Sequence, residues 1–233
     1  MKSKAFTMAE VLITIGIIGI VAAMTLPQLV MKYKKIVVEN RLKKVYSTLS
    51  QALNRSQAEH GDIEQWEWEQ VHGKYMVETQ AMKVFASKYF IPYFAKLRKE
   101  EYTTLTDFGY ADPTFGTNSS YKSSKHQVLV LADGTILIFD LDVADRIENN
   151  PNPVNGLNIY VDTNGMNTPN VMGSDVFTFH ISTKTGKFMP DENYSRDELI
   201  EKCRSYEDRG YSCTKLILYD GWKIKADYPI KTQ

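Results

Sequence analysis

From Val11 to Met31 the chain runs for 21 residues without a single charge. At the helical rise such a run is roughly 31 Å long, enough to cross a hydrocarbon layer of about 30 Å. A core helix of a globular domain rarely needs so long an apolar stretch. Before the run stands a short basic start, Met-Lys-Ser-Lys-Ala, and after it Lys32, Lys34 and Lys35 end it abruptly. Three readings fit this pattern: a plain signal anchor, a secretory signal peptide cut after Val21-Ala22-Ala23, and a leader followed by a retained assembly helix.

Glu10 discriminates among them. An acid at the lip of an apolar run is expensive, about 2.5 to 3.5 kcal/mol at mid-helix and less near an interface. A signal peptide or simple anchor gains nothing from it. A subunit that packs against copies of itself does, because the carboxylate can neutralise the α-amino group of a neighbouring chain. Gly16, Gly19 and Ala23 lie close to one helical face, which suits close backbone approach between packed helices as well as ordinary membrane-helix composition. Pro27 removes one hydrogen bond and is expected to kink or locally melt the helix.

The segment Ala5-Phe6-Thr7-Met8-Ala9-Glu10-Val11-Leu12-Ile13-Thr14 resembles the prepilin signal of type IV pilins and type II secretion pseudopilins. The resemblance covers residues 2 to about 35. It implies a cut by prepilin peptidase between Ala5 and Phe6, with N-methylation of Phe6. Counted from Phe6, Glu10 is fifth and Pro27 twenty-second, as the family has them; Ala5 stands where the family usually has Gly. The same resemblance implies a subunit in the cytoplasmic membrane with its head outside, handed by an inner-membrane assembly platform to a filament of like subunits in the periplasm or at the cell surface. Glu10 would then pair with the Phe6 amine of the next subunit. Gly16, Gly19 and Pro27 would act in assembly.

Beyond the apolar run the spacing of Val38, Leu42, Val45, Leu49, Ala52 and Leu53 is that of an amphipathic stripe, with Gly61 as C-cap. The expected organisation is therefore a leader at 1–5, a membrane or filament-core helix at 6–31, its amphipathic continuation at 32–60, and a head at 61–233. Residues 62–75 read as a loop or short helix. A second helix is expected from about Thr79 to Leu97, interrupted at Pro92, followed by a loop over 107–125. Then the period changes. Gln127–Leu131 and Thr135–Asp140 read as a hairpin across Ala132-Asp133-Gly134, Leu157–Val161 and Val176–Ile181 as further strands, and Lys184-Thr185-Gly186-Lys187 as a turn. Ser195 and Glu198 form a capping box for a short helix to about Tyr206, and Thr214–Tyr219 reads as a last strand. The fold class is α+β: one long N-terminal helix packed on a small antiparallel sheet, as in pilins.

Lys plus Arg and Asp plus Glu both number 28. There is thus no basic excess of the kind a nucleic-acid binder shows. The only cysteines are Cys203 and Cys213. In an exported head they are expected to pair, closing a short loop and stabilising by roughly 2.7 kcal/mol; the alternatives are two separate thiols or half of a metal site. Cysteine pairs near the C-terminus are also common in pilins. Asp162, Asn164 and Asp175 offer oxygen ligands in a loop between strands, and some pseudopilins bind calcium in such a loop. Met166 interrupts the ligand spacing, so a turn shaped by Asn and Gly is the favoured reading. No other cofactor is expected. The four histidines, at 60, 72, 126 and 180, have no catalytic spacing, and no nucleophile elbow, P-loop or dinucleotide fingerprint is present. The chain is read as a structural subunit rather than an enzyme.

Overall fold

The structure, a computed structural model, describes residues 7–68, 80–110, 124–143, 154–168, 170–183, 185–189, 193–205 and 209–231. Its first element is a single helix, α1 (Met8–His60), of 53 residues. Gly61 closes it in a backbone conformation with φ of 81°, donating its N–H to the Gln57 carbonyl. The helix is continuous through Pro27. The local melting expected at Pro27 is not there: one missing hydrogen bond is a small loss within so long a ladder.

The two halves of α1 meet different surroundings. Among residues 8–31 the side chains stand exposed, save a half-buried Ala22. From Val38 onward the stripe turns inward, with Val38, Leu42, Val45, Leu49, Ala52, Leu53 and Ser56 buried. A turn at Ile63–Gln65 follows, then α2 (Ala81–Tyr89) and a turn at Ile91–Tyr93. The expected helix to Leu97 stops eight residues early, before Pro92, which cannot supply a helical N–H. In its place Leu97–Thr104 forms strand β1, followed by the one-turn helix α3 (Leu105–Phe108).

Strands β2 (Lys125–Leu131), β3 (Ile136–Val143), β4 (Val154–Asp162) and β5 (Val176–Ser182) complete a five-stranded sheet in the order β1-β2-β3-β4-β5. Every neighbouring pair is antiparallel, so the sheet is a meander. Alternation sorts the side chains. Leu129, Leu137, Phe139, Ile159, Val161, Phe177 and Phe179 join the α1 stripe and the aromatic cluster of Trp66, Trp68, Phe85, Tyr89 and Phe90 in one core. Val128, Ile136 and Ile138 face the other way and pack with Leu105 and Tyr110.

Two helices end the head, α4 (Arg196–Arg204), capped by Ser195 and Glu198 as expected, and α5 (Arg209–Tyr219). The strand expected at Thr214–Tyr219 is therefore corrected to helix. Cys213, Leu216 and Ile217 are buried at helical spacing, and the Cys203–Cys213 disulfide, with Cα atoms 4.7 Å apart, ties α5 to α4. α5 also presses on β5, where a Cβ on Gly210 would come within 2.4 Å of Thr178 Oγ1. Thr214 Oγ1 accepts the Thr178 N–H at 3.2 Å, and Ser182 donates its N–H to the Lys187 carbonyl at 3.0 Å. This edge of the sheet is thereby closed. The opposite edge, β1, carries Arg98, Lys99, Glu100 and Glu101 instead, charges that discourage strand addition.

Both sulfurs belong to residues with no exposed surface. Replacing Cys203 and Cys213 together by Ala should lower head stability by roughly 2 to 4 kcal/mol without changing the sheet. Denaturant melts of the full chain in detergent, followed by near-ultraviolet circular dichroism, would measure it; unchanged midpoints would show that packing of α4 on α5 suffices alone.

Candidate functional site

Thr7 is the N-cap of α1, in extended conformation, and Glu10 is the third helical residue. The Thr7 N–H and hydroxyl donate to Glu10 Oε2 at 2.8 and 2.9 Å, and the Glu10 N–H donates to Thr7 Oγ1 at 3.2 Å. This is a reciprocal capping box. Sequence reasoning missed it, although Thr followed by Glu three residues later is its ordinary signal and was recognised at Ser195. The acid therefore has a partner in its own chain. Both bonds fall on one carboxylate oxygen, Oε2.

Past Glu10 the helix is long and apolar enough to cross a membrane, with none of its most apolar 18-residue window buried. A Cβ added at Gly16 or Gly19 would meet nothing within 4 Å. Ala5 and Phe6, the expected processing residues, lie outside the described residues.

Where the helix enters the head, three polar residues grip three separate segments. Glu39, buried, accepts the Ile224 N–H at 2.9 Å and Lys223 Nζ at 2.8 Å. Arg41 donates to the Thr163 carbonyl in the β4–β5 connection. Lys44 pairs with Asp133, on the β2–β3 turn, at 2.7 Å. Beside them Tyr46 packs on Phe179, Phe188 and Trp222. None of these long-range partners is visible in the sequence spacing.

The structure brings Asp162, Asn164 and Asp175 together at the Arg41 contact. Asp162 is wholly buried. Its Oδ2 accepts the Tyr110 hydroxyl at 2.7 Å and its Oδ1 the Asn164 N–H at 3.0 Å. Asp175 accepts the Val171 N–H at 2.6 Å and the Asn164 side-chain amide at 2.7 Å. Each carboxylate oxygen thus already has a protein donor, the pattern of an Asx turn. Among the described residues no group of three or more His, Cys, Asp or Glu is placed to hold a metal ion. Two of the described histidines are engaged structurally: His180 Nδ1 lies 2.9 Å from Asn158 Oδ1, and His126, buried, has Nδ1 3.7 Å from Asp140.

Residues 1–26 carry the prokaryotic N-terminal methylation motif, the signal of type IV pilins and pseudopilins. Residues 28–232 match the family described as a family of unknown function (DUF6613), and the chain belongs to that family. No curated protein and no solved structure matches it.

Burial pushes the Asp162 carboxyl up to about 7 against the pull of its hydrogen bonds, and raises Asp175 in the same direction. A folded-state value above the unfolded one, about 3.9, means that the native head holds a proton the unfolded chain releases. The stability due to Asp162 is complete below about pH 4 and is lost as pH rises through about 7. Melting of the full chain in detergent should therefore fall by several degrees between pH 5 and pH 8, and Asp162→Asn should flatten that slope. An equal slope in the variant would assign the effect to other groups.

Proposed function

We propose that this chain is a structural subunit of a type IV pilus-like or type II secretion pseudopilus filament, anchored by α1 before assembly. Prepilin peptidase removes residues 1–5 and the new N-terminus at Phe6 is methylated. The head stays on the extracytoplasmic side until an inner-membrane platform lifts the subunit into the filament, in the periplasm or at the cell surface. The observation that carries this reading is the division of α1. Its rear half is the spine of the head, while its front half is uncharged and predominantly apolar over residues 11–31 and exposed throughout apart from Ala22. Such a surface needs lipid or other helices around it. The methylation motif at residues 1–26 points to the same use and to a structural protein rather than an enzyme. In the filament Gly16 and Gly19 let neighbouring helices approach, Pro27 marks a weak point of the ladder, and Glu10 neutralises the Phe6 amine of the adjacent subunit.

The capping box favours a second reading, in which Glu10 serves only its own helix and the chain is a membrane-anchored binding module that never polymerises. Glu10→Gln separates the two, because Gln retains the cap and loses the charge. Under the filament reading, purified native membranes yield a mature chain beginning at methylated Phe6, and Glu10→Gln lowers filament yield by about tenfold or more, the loss of one charge pair worth ~1.4 kcal/mol or above. A mature chain beginning at Met1, or a Glu10→Gln subunit that enters filaments normally, would support the anchored module instead. A chain beginning at Met24 would make α1 a signal peptide at its front.

Calcium at Asp162, Asn164 and Asp175 remains part of the proposal in a narrow form. The ion would displace the Tyr110 hydroxyl and the Asn164 amide and neutralise the buried acids. It would then raise the melting temperature at pH 8 more than at pH 5. A head whose melting ignores both calcium and chelator at either pH carries no such site.

A further inference from the structure

A charged ring lies between the apolar run and the head. Lys32, Tyr33, Lys34 and Lys35 occupy consecutive helical positions, so at 100° per residue they encircle α1. Lys32 and Lys34 are exposed, Lys35 is half-buried, and Tyr33 is 68% exposed. None of the three lysines has an ion-pair partner among the described residues. The nearest acid on the helix, Glu39, points into the head and is held by Lys223 and the Ile224 N–H. Among the described residues, then, no acid neutralises the ring.

Its position is fixed from both sides. The uncharged run ends at Met31, one residue before Lys32. The first buried head residue on the stripe is Val38, roughly 4.5 Å along the axis from Lys35. Three cations and an amphipathic aromatic therefore sit at the depth of lipid headgroups, where Tyr favours the boundary and Lys the phosphates. The tendency of Lys and Arg to remain on the cytoplasmic side does not account for them, since the orientation proposed above puts them on the opposite face.

We propose that Lys32, Lys34 and Lys35 form a binding collar for anionic phospholipid headgroups in the leaflet that faces the head. The proposal rests on reading the apolar run as a membrane span. The collar holds α1 at one depth and seats the head against the bilayer. These headgroup contacts must be released when a subunit leaves the membrane, so anionic lipid opposes extraction and the collar sets how strongly.

The test uses the full chain, purified in a neutral detergent and offered dioleoyl phosphatidylglycerol or dioleoyl phosphatidylcholine, with bound lipid counted by native mass spectrometry. Each lysine near an anionic surface contributes a factor of roughly five, so the wild type should prefer phosphatidylglycerol by about tenfold or more. The variant Lys32→Gln/Lys34→Gln/Lys35→Gln should lose most of that preference with an unchanged head melting temperature. The control Arg55→Gln/Lys83→Gln/Lys96→Gln, which removes three exposed cations from the head side, should keep it. Equal binding of the two lipids by the wild type would overturn the proposal, and so would a preference that survives in the collar variant or disappears in the control. If the collar lysines instead bind acidic side chains of a neighbouring subunit, the lipid preference is absent and the collar variant fails in filament assembly. Failure of the span itself is read separately, as release of the wild-type chain from native membranes by alkaline wash; that outcome removes the collar with it.

Discussion

Burial of the α1 stripe against the sheet is the contact on which the rest of the molecule depends. Val38, Leu42, Val45, Leu49 and Leu53 enter the same core as Leu129, Leu137, Phe139, Phe177 and Phe179. Burying each large apolar side chain is worth about 1.5 to 3 kcal/mol. With the rear half held this way, a helix that begins at Met8 has no freedom to fold back, and its front half must project. Sheet packing thus makes the exposed apolar surface unavoidable. The chain completes that surface only with lipid or with other helices.

Polar contacts then fix where the head sits along the helix. An apolar stripe tolerates sliding by a turn better than a set of directional bonds does. Glu39, Arg41 and Lys44 lie within two helical turns and hold the C-terminal segment, the β4–β5 connection and the β2–β3 turn respectively. The C-terminal segment is held at its other side by Arg196, which pairs with both Asp220 and Asp227. Glu39 is the costly member, since a buried carboxylate needs full compensation. It obtains this from one backbone N–H and one ammonium group.

The long helix, its stripe, four of the five strands and the Ser195 cap were legible in the sequence because each rests on local period or local turn chemistry. What was not legible depended on partners distant in the chain. Leu97–Thr104 has the composition of a charged surface stretch and is a strand only because β2 offers it an edge. Thr214–Tyr219 has β-branched and aromatic residues enough for a strand, yet the disulfide and the close approach at Gly210 hold it as helix against β5. The grouping of Asp162, Asn164 and Asp175 was anticipated, but not the Tyr110 hydroxyl that occupies it, because that residue comes from 52 positions away. The Arg41, Lys44 and Glu39 contacts were hidden for the same reason.

On the filament reading proposed above, Glu10 carries a local rule and an intermolecular one on one side chain. The cap and the pairing with a neighbour's amine look like rival explanations of the same acid. The geometry does not force a choice. Thr7 directs both its donors to Oε2, and a carboxylate has room for about four hydrogen bonds over its two oxygens. Oε1 can accept an ammonium group while Oε2 still caps the helix. The cap also lowers the cost of carrying an ionised group at the edge of the bilayer, because two donors replace part of its lost hydration. A subunit that satisfied Glu10 completely in isolation would have no reason to seek a partner. One that left it bare would be expensive to hold in a membrane. On that reading, half-satisfaction by Thr7 avoids both, keeping the charge present and directional until a second chain arrives.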